Sequence, residues 1–139
     1  MKVSSYMTAK VVTAAPEDGV RHTFFRMREN RVRHLPVVDE GGKLVGFISD
    51  RDLRRPDWVD EAIDLAHAYK LEDDLQVRDL MTTNLVVAHT YDPIAKIVDL
   101  LIEHRFGALP VLDKGENLVG IISAIDLLRA FADTLAANA

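Results

Sequence analysis

Two short stretches carry the residue types best suited to chemistry. Ser49-Asp50-Arg51-Asp52 follows the apolar run Gly46-Phe47-Ile48, and Ser123-Ala124-Ile125-Asp126 follows Gly120-Ile121-Ile122. Each sets a hydroxyl and a carboxylate three residues apart where a strand runs into the first turn of a helix. Shown twice, such a pair points to a place that holds polyhydroxylated ligands. The same spacing also serves a local purpose: the serine caps the helix N-terminus while the acid reaches back to a free backbone N–H. The two uses are compatible, because a capping hydroxyl keeps a lone pair free.

The rest of the composition narrows the chemistry. There is no Cys, which excludes disulfides, thiolate metal sites and cysteine nucleophiles. His22, His67, His89 and His104 are scattered without metal-ligand spacing, so no metal site is expected. No Gly-x-x-x-x-Gly-Lys-[Ser/Thr] pattern occurs, and Gly41-Gly42 reads as a turn. No nucleophile–base pair or catalytic acid pair stands out, so an enzyme is not expected. The net charge of -5 argues against a general nucleic-acid binder. Met1 to Tyr6 lacks a signal-peptide core, and no apolar run approaches the roughly twenty residues that span a bilayer. A cytoplasmic protein is the expectation.

The elements that position the two pairs are repeated. Residues 7–53 align without a gap on 81–127, and roughly nineteen of the forty-seven pairs are identical. Met7-Thr8 matches Met81-Thr82, Leu35-Pro36-Val37 matches Leu109-Pro110-Val111, and Leu44-Val45-Gly46 matches Leu118-Val119-Gly120. The chain is a tandem duplication.

Each repeat reads as β-α-β-β-α, an α+β unit. A brief strand is predicted at Val11–Thr13 and at Leu85–Val87. A helix follows, with Asp92 as N-cap and Pro93 at its first position in the second repeat. Ile94, Ile97, Val98, Leu101 and Ile102 form one wide apolar face, and Phe24, Phe25 and Met27 supply core in the first repeat. Pro36 and Pro110 imply strands that are peripheral or bonded on one side near the proline. Each unit is small for its own core, so the two sheets are expected to pack together around a shared one. Residues 1–55 form repeat 1, residues 56–76 a linker helix anchored by Trp58, and residues 77–139 repeat 2 with a C-terminal helix. That last helix carries Ile125, Leu128, Phe131 and Leu135 on one face.

The blocks Met7-Thr8, Val32 to Asp39 and Leu44 to Leu53, with their counterparts Met81-Thr82, Ala108 to Asp113 and Leu118 to Leu127, resemble the cystathionine-β-synthase (CBS) domain. The run from Arg31 to Arg54 and the linker look most like a bacterial subgroup that includes an acetoin-utilisation regulator. The resemblance implies two repeats packed sheet to sheet with pseudo-two-fold symmetry as one Bateman module. It further implies a homodimer and clefts between the repeats for AMP, ADP, ATP or S-adenosylmethionine, as regulatory ligands rather than catalytic cofactors.

Carried over by position, the resemblance assigns Asp52 and Asp126 to ribose hydroxyls and Ser49 and Ser123 to phosphate or ribose. Val12, Ile48, Val86 and Ile122 would line the adenine, Lys10 and Asn84 would meet base or ribose, and Arg33 and His34 would meet phosphate. Arg51 lies beside them. These assignments make physical sense: an acceptor-only carboxylate suits a vicinal diol, and a helix N-terminus or an Arg suits an anion. The repeats differ, however. Gly107, Ala108 and Ile125 stand where the first repeat has Arg33, His34 and Arg51. One cleft is therefore expected to take a charged nucleotide, and the other to be weaker, to take a less charged ligand or to stay empty. The functional expectation is a ligand-sensing module that changes a dimer interface or a regulated protein partner's interface. The alternative is a dimerisation or protein-interaction module with vestigial clefts.

Overall fold

A computed structural model of the chain describes residues 1–53 and 75–139. The linker helix expected over 56–76 therefore lies almost wholly outside the described residues, together with Trp58, Arg54 and Arg55. The chain divides into two compact units, Val12–Leu85 and Met1–Val11 with Val86–Ala139. Each unit thus takes the leading segment of the other repeat.

In the unit Val12–Leu85, α1 (Val20–Asn30) precedes a hairpin of β1 (His34–Val38) and β2 (Leu44–Ser49), followed by α2 (Asp50–Leu53) and α3 (Val77–Leu80). In the other unit a 3-10 turn (Val3–Ser5) joins β3 (Ala88–His89), α4 (Ile94–His104), β4 (Ala108–Leu112), β5 (Leu118–Ser123) and α5 (Ala124–Ala137). The two hairpins share one register: His34 faces Ser49 and Leu35 faces Ile48, just as Ala108 faces Ser123 and Leu109 faces Ile122. Asp39 and Asp113 shape the hairpin turns, each accepting two backbone N–H bonds on Oδ1, from Gly41 and Lys43 or from Gly115 and Asn117.

The leading strands are shorter and later than the sequence predicts. Val11–Thr13 forms no strand; Ala14 alone bridges Val37, and β3 begins at Ala88, not Leu85. The proline strands explain the shift. The Pro36 carbonyl accepts from Ala14 N–H and Val38 N–H donates to Ala14, so this ladder starts at the proline, which has no donor to extend it. In the second unit β4 is central, between β3 and β5, so its proline is bonded on one side without being peripheral.

Helix ends also depart from expectation. Asp92 is not the N-cap of α4; Pro93 holds that place in extended conformation. The Asp92 carboxylate instead accepts from His89 N–H at 2.9 Å and pairs with Lys96 at 3.4 Å. Asp18 repeats the arrangement, accepting from Ala15 N–H and Arg26. Burial pushes the Asp18 carboxyl upward, but those two donors outweigh it and leave its pKa below the ordinary value. At the far ends of α1 and α4, Arg31 and Arg105 adopt left-handed conformations (φ 56° and 57°). Val32 and Phe106 N–H groups then close back on Met27 and Leu101 carbonyls.

The buried side chains form two clusters, each inside one unit. One gathers Val20, Phe24, Met27, Leu35, Val37, Ile48, Leu53 and Val77; the other gathers Val3, Ile94, Ile97, Leu101, Leu109, Val111, Ile122 and Ala130. The exchanged segments supply the missing material. Val77 and Val3 are both fully buried, each contributing on the order of 1.5–3 kcal/mol of apolar burial. Met81 lies on Gly46 and Met7 on Gly120, where any Cβ would collide with the sulfur. Thr82 and Thr8 each exchange two backbone hydrogen bonds, with Phe47 and Ile121 respectively. The repeated Met-Thr and Gly blocks are two sides of one contact.

The apolar faces of α4 and α5 are only partly covered. Ile94, Ile97 and Leu101 are buried, but Ile102 is 71% exposed. The α5 stripe of Ile125, Leu128, Phe131 and Leu135 is 56–59% exposed, and the helix instead buries Asp126 and Ala130.

Candidate ligand-binding junctions

Both Ser-x-x-Asp pairs close into capping boxes. Ser49 N–H donates to Asp52 Oδ2 at 2.8 Å, and Asp52 N–H donates to Ser49 Oγ at 3.1 Å. At the second junction the matching distances are 2.8 and 3.3 Å, and Ser123 Oγ also donates to Asp126 Oδ2 at 3.0 Å. The capping reading is thus realised at both places. A third box, between Gln76 and Asp79 at the start of α3, had no counterpart in the sequence reading.

The surroundings of the two acids differ. Asp52 is half-buried, and beyond the capping bond its carboxylate has no further partner among the described residues. Asp126 is 3% exposed, and its Oδ1 accepts from Arg129 Nη1 at 3.1 Å. Sequence comparison of the repeats missed Arg129, although a cation three residues along a helix from an acid is the available signal.

The first junction collects charged groups at one end of its hairpin. Asp50 N–H donates to the Arg33 carbonyl at 2.8 Å, which ties the start of β1 to the start of α2. His34 faces Ser49 across the ladder, and its ring stacks on Phe47 with centroids 5.6 Å apart and planes 17° apart. Burial holds the His34 pKa below its ordinary value, against the opposing pull of Asp50 and Asp52, with Arg33 adding to the lowering. Arg33 and Arg51 are exposed and carry no ion pair among the described residues. Arg33, His34, Ser49, Arg51 and Asp52 therefore share one end of one unit.

The remaining candidates are distributed differently. Ile48 and Ile122 are fully buried in the two cores, so neither presents a surface to a ligand. Val12 and Val86 are partly buried against the same two cores. Lys10 is exposed in the unit of Ser123 and Asp126, and Asn84 is exposed in the unit of Ser49 and Asp52. Each thus falls in the unit of the other repeat's pair. No group of three or more His, Asp or Glu among the described residues is arranged to hold a metal ion.

The family model of the CBS domain matches residues 3–57 and again 77–133. Among solved structures, CBSX2 of Arabidopsis thaliana, a CBS-pair protein, is 30% identical, with 99% of this chain and 98% of that one covered and a TM-score of 0.81. CBSX2 has also been solved in complex with AMP. The CBS domain pair of the protein MJ0100, in complex with 5′-methylthioadenosine and S-adenosyl-L-methionine, is 25% identical. That match covers 96% of this chain and 98% of the other, with a TM-score of 0.77. Protein MJ1225 of Methanocaldococcus jannaschii is 30% identical over 94% of this chain, which spans 47% of that relative. Matched by the family model over both repeats and by CBS-pair structures over nearly its whole length, the chain belongs to the CBS-domain family as a tandem pair.

Proposed function

We propose that this tandem pair is a regulatory module without catalytic activity, sensing an adenosine-containing ligand: AMP, ADP, ATP or S-adenosylmethionine. The observation that carries the reading is the first junction. Asp52 is held in place through Oδ2 while the rest of its carboxylate can accept from a ribose diol. Ser49 and the start of α2 stand beside it, and Arg33 and Arg51 offer guanidinium groups to phosphate. Val12 and Asn84, in the same unit, complete the proposed contacts to base and ribose here, as Lys10 and Val86 do at the second junction. The adenosyl ligands of CBSX2 and MJ0100 support this chemistry.

Binding is regulatory when the ligand prefers one of two arrangements of the module and so shifts an interface. We place that interface on the exposed stripe of Ile125, Leu128, Phe131 and Leu135, with a second copy of the chain as its partner. Sedimentation should give a dimer at micromolar concentration; a clean monomer contradicts this part.

The ligand itself is tested by thermal shift against AMP, ADP, ATP and S-adenosylmethionine. A ligand of the folded state at a hundredfold excess over Kd adds about 2.7 kcal/mol of stability. Asp52→Ala should reduce the shift by removing the contribution of the first junction, and lower the unliganded melting temperature only modestly. If no adenosyl compound moves the transition at millimolar concentration, the exposed stripe favours an interaction module with vestigial ligand sites.

A further inference from the structure

The second junction has no cation at the positions matching Arg33, His34 and Arg51, yet its acid is not alone. Asp126 is 3% exposed, and both of its carboxylate oxygens are engaged. Oδ2 takes the Ser123 N–H and hydroxyl; Oδ1 takes the Arg129 guanidinium. The pair is lopsided, with side-chain exposures of 4% for Asp126 and 68% for Arg129. The carboxylate is fixed by its cap, whereas the guanidinium sits at the surface on a flexible stem and is free to turn to another anion.

A ribose diol placed on this acid needs Oδ1, so it competes with Arg129 for that oxygen. A neutral nucleoside takes Oδ1 and returns nothing to the displaced guanidinium. A ligand with a phosphate offers it a new bidentate partner. We propose that Arg129 determines ligand preference at the second junction, yielding Asp126 to adenosyl ligands that carry a phosphate and withholding it from those that do not. The proposal rests on the adenosyl reading given above. It assigns Arg129 a specificity role that the alignment of the two repeats does not indicate.

The test compares AMP with adenosine by titration calorimetry on the full chain, with Asp52→Ala in every protein to silence the first junction. Arg129→Gln should reduce the AMP-over-adenosine preference about tenfold, the scale of one charge-assisted contact, with part of the change appearing as tighter adenosine binding. Arg129→Lys, which keeps the charge, should retain most of the preference. If Arg129→Gln changes both affinities by the same factor, or neither, Arg129 is structural and the proposal is overturned while the adenosyl reading stands. Loss of all binding in Asp52→Ala alone also overturns it. Failure of the wild-type chain to bind either compound instead removes the underlying reading.

Discussion

At the start of β1, His34 shows how one side chain makes stability depend on pH. Its stacking on Phe47 partly buries the ring, and burial disfavours the imidazolium. Because the folded-state pKa lies below the ordinary value near 6.5, the unfolded chain takes up the proton first as pH falls. The stability held at neutral pH is therefore lost progressively below about 6.5, until the folded-state pKa is passed. His34→Gln should flatten that part of the profile, measured as the difference in urea midpoint between pH 7.5 and pH 5.5. An unchanged difference would show that the ring is not desolvated as described. The roles of Ser49, Asp52, Ser123 and Asp126 in capping were legible from the sequence because the whole motif spans four residues. The engagement of Asp126 by Arg129 is less legible, because it depends on which way an exposed guanidinium turns and not on the four-residue motif.

Among the elements, the two hairpins are legible, since short apolar runs around a turn such as Gly41-Gly42 are local signals. The leading strands were misplaced for an equally physical reason. A strand that makes one or two parallel bridges leaves almost no periodicity, and its start is fixed by the proline of its neighbour. Helix ends depend on left-handed arginines where a glycine would be the usual choice. Arg105→Gly should therefore relieve strain at φ 57° and raise stability by about 0.5–1 kcal/mol, seen as a higher Tm. The glycines at the Met-Thr contacts make the opposite prediction. A Cβ on Gly120 would sit 2.8 Å from the carbonyl oxygen of Thr8, a residue whose backbone N–H and C=O are both hydrogen-bonded to Ile121. Gly120→Ala should cost about 1–3 kcal/mol in chemical denaturation. Gly46→Ala should cost less, because the obstacle there is the movable Met81 side chain. Equal costs would contradict the role given to the Thr8 backbone.

For the molecule as a whole, the duplication was plain in the sequence but the exchange of leading segments was not. Alignment reports which residues correspond; it does not report which copy they touch. Val77, Leu75, Leu80 and Met81 pack on the first repeat's core, while Val3, Tyr6 and Met7 pack on the second's. A fragment cut at the repeat boundary, residues 1–55, loses several apolar contacts worth on the order of 1.5–3 kcal/mol per fully buried side chain, against a typical total of 5–15 kcal/mol. A fragment spanning Val12–Leu85 keeps them all. The longer fragment should melt cooperatively by circular dichroism and the shorter should not; comparable transitions in both would refute the assignment of the leading segments.

That exchange also bears on how such a chain could arise. In a product holding one copy, the leading segment has no sister to complete, so two molecules would have to trade arms reciprocally, and their folding would follow concentration. Fusing the copies turns the trade into a ring closure within one polypeptide, insensitive to dilution. Doubling the spacer that closes the ring costs only about 0.6 kcal/mol. Its length is therefore free to drift over evolutionary time, while the Met-Thr clasps at either side are not.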